Sequence, residues 1–460
     1  MVKLVYILIY CLALSRVFSG HEQWQLTGAQ ARIEQHRMAD CVLNLRLANN
    51  TELPAGTRVE LVQTGHHFKF GGSLAQARVL DGHLSYPIYL EHFAKVFNYA
   101  TIGFYWSSHE KKRGEWELKG YAQRSLDWAL SQGMFLRGHP LMWHNTLPEW
   151  IADTERGVSQ LDKDIIDHVQ MLVATYPQIN QWDLYNETPG IRLVSPEQGA
   201  RRWVEALGGP GPTSKRIVDA VRAVRPDGVF SLNHFKYDEA AYHAEIQYCL
   251  EHGGKIDAIV IQSHMHTRDT IWSEAQMLEM LDAYEGYKVP IELSEISVLS
   301  CEPFTDWSEL KQWEASINEA RERRISLPMR ESTLEWKQYQ ADYIRDFYTL
   351  AFSHPSVSAI IWWSVSDYKA WRGMPAGLLD AEGNPKPSYQ VIRELVEEEW
   401  STQISVDVDQ FGRVEFKGFY GTYDAIVQID GSRWIGQFVL LPDGERAASL
   451  SLTPVSDVSE

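Results

Sequence analysis

From about residue 66 to about residue 400, short apolar runs alternate with longer amphipathic stretches. This alternation is typical of strands and helices that follow one another through a parallel sheet. In the stretch 164–176, Ile165, Val169 and Leu172 fall on one face of a helix. The apolar runs predict eight strands, at 66–72, 97–103, 134–140, 182–187, 229–235, 257–264, 290–297 and 359–367. Eight strands in about 330 residues predict an α/β fold, a (β/α)8 TIM barrel with small β elements at the N- and C-termini.

Period-two alternation of apolar and polar residues flanks the barrel on both sides. We predict an N-terminal β element at 21–65, the barrel domain at 66–400 and a small C-terminal β domain at 401–460. The C-terminal strands suit a small sandwich, and their pairing with the strands near residues 40–70 is left open. Packing or capping is the expected role of this domain, and sugar binding is the alternative.

The connection at 298–333 is long for a barrel loop and carries Trp307, Trp313 and a charged run. Two interpretations fit these residues. The segment is either a solvated helical insertion or part of the wall of a binding cleft.

The first twenty residues have the pattern of a secretory signal. Lys3 gives a positive start, 4–14 is an apolar run, and 17–19 offer a small-residue cleavage site. That run is too short to cross a bilayer, and no later stretch is long and apolar enough. We therefore expect a secreted or periplasmic protein with no membrane partner after removal of residues 1–20.

The cysteines indicate no catalytic or metal-binding role. Of the 4 cysteines, Cys11 would leave with the signal, which leaves Cys41, Cys249 and Cys301. Their spacing matches no metal motif. We predict structural roles, with room for one disulfide.

The composition limits the kinds of partner that the protein is expected to bind. A formal net charge of −18 argues against nucleic acid and anionic membranes, because both need a basic surface. The 17 tryptophans exceed what is usual, and they fit both core packing and stacking against the apolar faces of sugar rings.

In a (β/α)8 barrel the working side chains lie at the C-terminal ends of the strands. The residues at or just beyond those ends are Arg137, Gly138, His139, Trp143, His144, Asn186, Glu187, Asn233, Gln262, His264, Glu295, Trp363, Asp367 and Trp371.

Two of these residues are carboxylates that end strongly apolar strands, Glu187 on the fourth and Glu295 on the seventh. A charge there is costly without a partner or a task, so each alone fits either an ion pair or catalysis. Because both strands open onto one barrel mouth, the pair can flank a single bond, as glycoside hydrolysis requires. A carboxyl separation of about 5–5.5 Å gives retention of configuration, and a wider gap gives inversion.

Six segments follow one another in order along the chain: RGHPLMWH (137–144), WDLYNE (182–187), IQSH (261–264), PIELSEIS (290–297), WWSVSDYKAW (362–371) and GLLDAEGNPKPSY (377–389). In these segments the chain resembles glycoside hydrolase family 10, whose best-known members are endo-1,4-β-xylanases. Each segment alone is moderately specific, but six in the right order at suitable spacing are a strong signal.

The resemblance implies that Glu187 is the acid/base and Glu295 the nucleophile of a retaining enzyme. It implies that Asn186 also steadies the nucleophile and that His144 is a buried hydrogen-bonding histidine. We expect no cofactor and no metal. The implied substrate-binding residues are His139, Trp143, His144, Asn186, Gln262, His264, Trp363 and Trp371.

Two departures from the family pattern alter the expected site. The segment FNYATIGFYW (97–106) lacks the usual Glu-Asn pair, and Tyr105 stands where a Lys would precede Trp106. The glycone-side subsite therefore loses charge and gains aromatic surface. Ser297 occupies a position where the family often has an Asp that supports the histidine of the sixth strand, here His264.

We expect a retaining glycoside hydrolase that cleaves β-1,4-xylosidic bonds in xylan or xylo-oligosaccharides, with a polysaccharide or oligosaccharide as partner. The charge of Glu295 is expected to raise the pKa of Glu187. The alternatives are a hydrolase of another β-linked glycan and a non-catalytic glycan-binding protein, and the retention of both carboxylates and Asn186 argues against the second. A metal-dependent hydrolase lacks support, because no HExxH or paired ligand spacing occurs.

Overall fold

The computed structural model describes residues 21–117, 120–152 and 155–455. The predicted signal at 1–20, with Cys11, lies outside the described residues and stays a prediction. Within the described part of the chain, no helix combines the length and apolar character that crossing a membrane requires. The described residues divide into a larger unit, residues 21–24, 70–344 and 356–390, and a smaller unit, residues 25–69, 345–355 and 391–455.

The strands, in chain order, are β1 (Met38–Leu47), β2 (Arg58–His66), β3 (Lys69–Ser73), β4 (Tyr99–Gly103), β5 (Phe135–His139), β6 (Gln181–Asn186), β7 (Val229–His234), β8 (Ala258–Ile261), β9 (His264–Met265), β10 (Ile291–Val298), β11 (Val357–Trp362), β12 (Gln403–Asp407), β13 (Arg413–Phe419), β14 (Gly421–Ile429), β15 (Ser432–Leu440) and β16 (Ala447–Pro454). The α-helices are α1 (Ala29–His36), α2 (Ala77–Leu80), α3 (Tyr86–Val96), α4 (Trp106–His109), α5 (Tyr121–Ser131), α6 (Glu149–Ala152), α7 (Val158–Thr175), α8 (Gly199–Leu207), α9 (Pro210–Val224), α10 (Ala240–Glu251), α11 (Glu274–Glu285), α12 (Trp307–Glu322), α13 (Leu334–Ser353) and α14 (Pro387–Arg393). Short 3-10 turns lie at Leu74–Gln76, His144–Thr146, Thr188–Leu193 and Trp371–Gly373, and a π-helical turn lies at Glu394–Glu399.

The larger unit contains a closed parallel barrel, which confirms the predicted fold. The strands follow the order β3, β4, β5, β6, β7, β8, β10 and β11, and β11 pairs with both β10 and β3. The short β9 pairs only with the end of β10. Each barrel strand overlaps one of the eight predicted apolar runs. The overlap has a physical cause, since strands such as β4 and β8 are buried along their whole length and their sequences are almost continuously apolar.

Helices connect the barrel strands, as the amphipathic stretches predicted. In α7 the predicted face of Ile165, Val169 and Leu172 is buried, together with Leu161. Their spacing of three and four residues keeps them on one side of the helix.

The smaller unit is one seven-stranded sheet with the order β12-β2-β14-β15-β16-β1-β13. Its inward positions follow the alternation seen in the sequence; in β14, for example, Tyr423, Ala425 and Val427 are buried. Strands from both ends of the chain share this sheet, because β1 pairs with β13 and β16, and β2 pairs with β12 and β14. The pairing with the strands near residues 40–70, which the sequence left open, is therefore present, and both ends of the chain build this unit. Alternation shows which face of a strand is buried but leaves open which strands pair.

The three described cysteines, Cys41, Cys249 and Cys301, are buried with free thiols, so the disulfide for which the sequence left room does not form among them. Cys41 lies in the apolar core of the small sheet. Cys301 lies in a separate cluster with Leu299 and Phe304. Each thiol acts as a small apolar side chain in its own core.

The long connection at 298–333 has one exposed side, as expected of a solvated helical insertion, and one packed side. Its helix α12 carries the charged run on an exposed surface, and Trp307 is half exposed. Trp313, by contrast, packs beside Trp371, and its indole Nε1 donates to the carbonyl oxygen of Arg372 at 2.7 Å. One face of α12 thus supports the turn that carries Trp371.

A charged network fills the barrel interior below its mouth. Arg137 donates to both carboxylate oxygens of Asp183, at 2.5 and 3.1 Å, and to Glu292 at 3.0 Å. Gln181 also donates to Glu292, at 2.8 Å. All of these side chains are buried, so a single guanidinium pairs with two enclosed carboxylates.

We expect Arg137→Leu to lower the free energy of unfolding by about 3–5 kcal/mol, because the buried Asp183 and Glu292 would both lose the guanidinium that pairs with them. Urea unfolding followed by circular dichroism measures the change. Arg124→Leu is the matched control, since Arg124 pairs with Asp81 on the exposed surface and its loss should cost less than about 1 kcal/mol. Equal losses for the two variants would contradict the assignment of the network as a core element.

Candidate active site

Glu295 lies near the end of β10, and side chains with N–H groups surround its carboxylate. Its backbone N–H donates to the carbonyl oxygen of Gln262 at 2.8 Å and so fixes the main chain. Asn233 Nδ2 donates to Oε1 at 3.1 Å, and His264 Nε2 lies 3.3 Å from Oε2. His139 Nε2 is 3.9 Å from Oε1. The side chain is only 4% exposed in total, so these groups replace water as its partners.

The surroundings keep Glu295 ionised. Burial by itself raises the pKa of this carboxyl, but His139, His264 and the Asn233 amide outweigh burial and bring the pKa below its ordinary value. At neutral pH the group is a carboxylate, the form that can act as a nucleophile.

Glu187 directly follows β6 and has a left-handed backbone, with φ +59° and ψ +38°. Its N–H donates to the carbonyl oxygen of Asn233 at 2.8 Å. Gln262 Nε2 donates to Oε1 at 3.1 Å, and the indole of Trp143 donates to Oε2 at 3.3 Å. The side chain is partly exposed at the barrel mouth. The two carboxyl groups therefore share one cluster of supporting side chains.

The pKa of Glu187 is shifted in the opposite direction from that of Glu295. Burial is the largest cause of its rise, and the charge of Glu295 raises it further against the hydrogen bonds from Gln262 and Trp143. The sequence predicted the effect of the neighbouring charge but missed the larger effect of burial. Two nearby carboxyls with opposite shifts can divide the work of acid and nucleophile between them.

Asp183 orients the histidine beside the nucleophile. Its Oδ2 lies 2.7 Å from His139 Nδ1 and accepts from Asn233 Nδ2 at 3.1 Å. Arg137 neutralises the same carboxylate from below. Asp183 was missed from the sequence, although a charged residue inside the apolar run before Glu187 was a usable signal.

Aromatic side chains wall the mouth. The Trp363 ring lies 5.5 Å from that of His139, and the Trp371 ring lies 5.0 Å from that of His264. Tyr105 lies 6.1 Å from His139, nearly perpendicular to it. Flat apolar faces around two carboxyls suit the stacking of sugar rings.

Ser297 contacts His264 from the position where the family often has a supporting Asp. Its Oγ lies 2.8 Å from His264 Nδ1 and 2.7 Å from His266 Nε2, so a hydroxyl bridges the two imidazoles. Burial lowers the pKa of His266 well below its ordinary value and keeps that ring neutral. His264 is therefore oriented toward Glu295 without a second carboxylate.

Asn186 and His144 lie next to this cluster. Asn186, to which the resemblance gave the role of steadying the nucleophile, accepts from Gln262 at 3.2 Å, and the amide that donates to Glu295 is that of Asn233. His144 is buried next to Tyr185, with ring centroids 5.9 Å apart, and its Nδ1 has no hydrogen-bond partner among the described residues. Burial lowers the pKa of His144 to about 4. His144 thus lies beside the cluster rather than among the groups that contact the two carboxyls.

The remaining predicted residues come together around the two carboxyls at the mouth of the barrel: His139, Trp143, Gln262, His264, Trp363 and Trp371. A carboxyl with a raised pKa and a carboxylate with a lowered pKa, between aromatic walls at the mouth of a (β/α)8 barrel, fit the two groups that a glycoside hydrolase needs. The sequence profile of Glycosyl hydrolase family 10 matches residues 61–395, and the chain belongs to this family.

Characterised relatives and solved structures agree with this membership. The chain is 26% identical over 327 residues to Endo-1,4-beta-xylanase B of Thermotoga neapolitana, covering 67% of this chain and 84% of that protein. It is 23% identical over 351 residues to Endo-1,4-beta-xylanase A of Caldicellulosiruptor saccharolyticus, covering 71% and 93%. The crystal structure of native xylanase 10B from Thermotoga maritima superposes with a TM-score of 0.56 at 21% identity, covering 72% and 96%, which shows a shared fold.

Proposed function

We propose that this hydrolase cleaves β-1,4-xylosidic bonds in xylan or xylo-oligosaccharides by covalent double displacement, with Glu295 as nucleophile and Glu187 as acid/base. The observation that carries the proposal is the opposite pKa shifts of two carboxyls held in one cluster by Gln262, Asn233 and His139. The names of the relatives supply the substrate class.

In the first step, Glu187 donates its proton to the glycosidic oxygen while Glu295 attacks the anomeric carbon. The C–O bond to the leaving sugar breaks, and an ester forms between Glu295 and the remaining glycosyl group. Asn233 and His264, which hold the carboxylate of Glu295, keep it aligned for the attack.

In the second step, the ester no longer carries the negative charge that raised the pKa of Glu187. The deprotonated Glu187 becomes the better base and takes a proton from water, which attacks the anomeric carbon from the opposite face to the ester. The ester bond to the anomeric carbon breaks, which releases Glu295 as a carboxylate and leaves Glu187 protonated for the next cycle. Two inversions give net retention of configuration.

A panel of polysaccharides with a reducing-sugar readout tests the substrate. We expect xylan to be the preferred polymer, with β-configured xylo-oligosaccharides as first products. A clear preference for another β-linked glycan would mean that the same catalytic residues act on a different sugar. Tyr105 at the mouth would then be the first residue to test for a role in substrate choice. Binding without turnover on every glycan would contradict an enzymatic role.

The pH profile of kcat/KM is expected to be bell-shaped, with one acidic and one alkaline limb. Glu295 must be ionised, so activity falls as pH drops through its lowered pKa. Glu187 must be protonated, so activity falls as pH rises through its raised pKa. The acidic limb should thus lie below the ordinary glutamate pKa and the alkaline limb above it.

Glu187→Gln, assayed with an activated aryl glycoside that needs no acid, is the control for this profile. The alkaline limb should disappear in this variant while the acidic limb stays. If the alkaline limb remained in this variant, the titrating group behind it would not be Glu187.

A further inference from the structure

A second histidine lies behind the one that contacts Glu295. His266, just after β9, is 4% exposed, and its Nε2 lies 2.7 Å from the hydroxyl oxygen of Ser297. The same oxygen lies 2.8 Å from Nδ1 of His264, whose Nε2 is 3.3 Å from Oε2 of Glu295. The side chains of His266, Ser297 and His264 therefore form a relay of polar contacts that runs from a buried position to Glu295.

The main chain fixes the inner end of this relay. The N–H of His266 donates to Oγ1 of Thr270 at 3.1 Å, and its carbonyl oxygen accepts from the N–H of Phe304 at 2.9 Å. Ser297 is fully buried and lies opposite His264 where the end of β10 pairs with β9. His264 is the most exposed of the three, with 15% of its side chain accessible at the mouth. Its ring therefore takes its orientation from the buried hydroxyl behind it.

The single proton of the Ser297 hydroxyl gives the relay a direction. Glu295 is a carboxylate, so the nitrogen of His264 that faces it carries a proton, because a bare nitrogen would set one lone pair against another. In a neutral imidazole that proton leaves Nδ1 bare, and the hydroxyl of Ser297 donates to it. The Ser297 oxygen has no second proton to give, so it accepts from Nε2 of His266.

We propose that His266 is a positioning residue, which donates to Ser297 and so holds His264 as a neutral ring that presents its Nε2–H to Glu295. The proposal rests on the role proposed above for Glu295. His266 itself reaches neither carboxyl by any hydrogen bond among the described residues, so its effect on the nucleophile passes through the hydroxyl of Ser297.

The hydroxyl at position 297 sets the charge of His264. An ionised Asp, which the family often has here, can only accept, so Nδ1 would keep a proton and the ring, with Nε2 also protonated, would be a cation. Ser297 donates instead, because His266 supplies the proton that its oxygen accepts. His266 is itself uncharged, since burial, with His264 and Arg372 nearby, lowers its pKa well below the ordinary value.

A double-mutant cycle between His266→Phe and Ser297→Ala tests the route of the effect. Each single variant should lower kcat on xylan about tenfold at pH 7 and leave KM unchanged, because Glu295 is then less well aligned for its attack. The double variant should lose no more than about tenfold as well, since His266 acts only through the hydroxyl. His266→Gln keeps an N–H donor near the place of Nε2 and should recover most of the activity.

The acidic limb of the kcat/KM profile separates positioning from simple support of the fold. The titratable and polar groups that face Glu295 are His139, Asn233, His264, Glu187 and the neutral Tyr105. His264 is one of the groups that lower the pKa of Glu295. A displaced His264 withdraws this contribution and the pKa of Glu295 rises, so the acidic limb of His266→Phe should move up by about 0.5–1 pH unit. The alkaline limb, set by Glu187, should stay in place.

Nitrogen-15 spectra of the imidazoles read the proton arrangement in the wild-type protein, without any assay or variant that must fold. At pH 7 the spectra should show His264 with a protonated Nε2 and a bare Nδ1, and His266 with a protonated Nε2. A proton on Nδ1 of His264, or a bare Nε2 on His266, would overturn the proposal. This result does not depend on whether Glu295 is the nucleophile, so it separates a failure of the relay from a failure of the proposed mechanism.

Ser294→Ala is the matched control for the variants. Ser294 lies on the same strand β10, is 2% exposed, and its hydroxyl has no hydrogen-bond partner among the described residues, so this variant should follow wild type in every measurement. Losses that multiply to about 100-fold in the double variant would overturn the route through Ser297. An unchanged acidic limb in His266→Phe, with only a lower unfolding temperature, would assign His266 to core packing alone.

Discussion

Replacement of Glu295 by alanine is expected to lower kcat on xylan by at least about 10⁴-fold while the protein stays folded. The variant loses the atom that attacks the anomeric carbon, and no other carboxylate in the cluster around Asn233, His139 and His264 can reach the same position. Steady-state kinetics and circular dichroism measure the two effects. Glu302→Ala is the matched control, because Glu302 lies on the loop just after β10 and pairs with Arg268 on the exposed surface.

Azide sharpens the test of Glu295. In the alanine variant a small anion can occupy the space of the lost carboxylate and attack the anomeric carbon from the same face, which gives an α-glycosyl azide from an activated substrate. Near-normal activity of Glu295→Ala without azide would remove Glu295 from the mechanism.

Glu187→Ala is expected to lose about 10³-fold in kcat on xylan, whose leaving sugar needs a proton, and far less in the first step with an activated aryl glycoside. The reason is that the aryl group leaves without acid assistance, so only the hydrolysis of the ester is slowed. A burst of the aryl alcohol followed by a slow steady state is the kinetic signature, measured by stopped-flow absorbance.

Azide gives the opposite stereochemistry in the Glu187 variant. The anion attacks the ester on Glu295 from the free face, and the product is a β-glycosyl azide. Equal losses on xylan and on the aryl glycoside would show that Glu187 does not transfer the proton. The same azide product from both variants would contradict the division of roles between Glu187 and Glu295.

The barrel was predictable because its strands are enclosed on both faces. β4 and β8 are buried along their whole length, so their sequences stand out as apolar runs between amphipathic helices. The small sheet was predictable strand by strand but not in its pairing. β1 pairs with β13 and β16 from the far end of the chain, and nothing in period-two alternation specifies a partner.

The two carboxyls of the site were predictable from their place at strand ends. Their supporting contacts were not, because these depend on which side chains meet across the barrel. The amide that contacts Glu295 belongs to Asn233 on β7 rather than to Asn186, the residue adjacent in sequence to Glu187. Ser297 illustrates the same limit: the missing carboxylate was visible in the sequence, whereas the bridge to His266 required the fold.

The burial of the catalytic carboxyl Glu187 was also not predictable from the sequence. Glu187 owes the largest part of its raised pKa to burial, which no local pattern around the residue reveals.

Trapping of the glycosyl-enzyme tests the central claim most directly. A 2-deoxy-2-fluoro β-xylobioside with a good leaving group slows both steps but lets the first proceed, so the ester accumulates. Peptide mass spectrometry after proteolysis should find one fluoroglycosyl group on the peptide that contains Glu295 and none on the peptide that contains Glu187. An adduct on any other residue, or turnover without an adduct and with an α-configured first product, would contradict double displacement at Glu295.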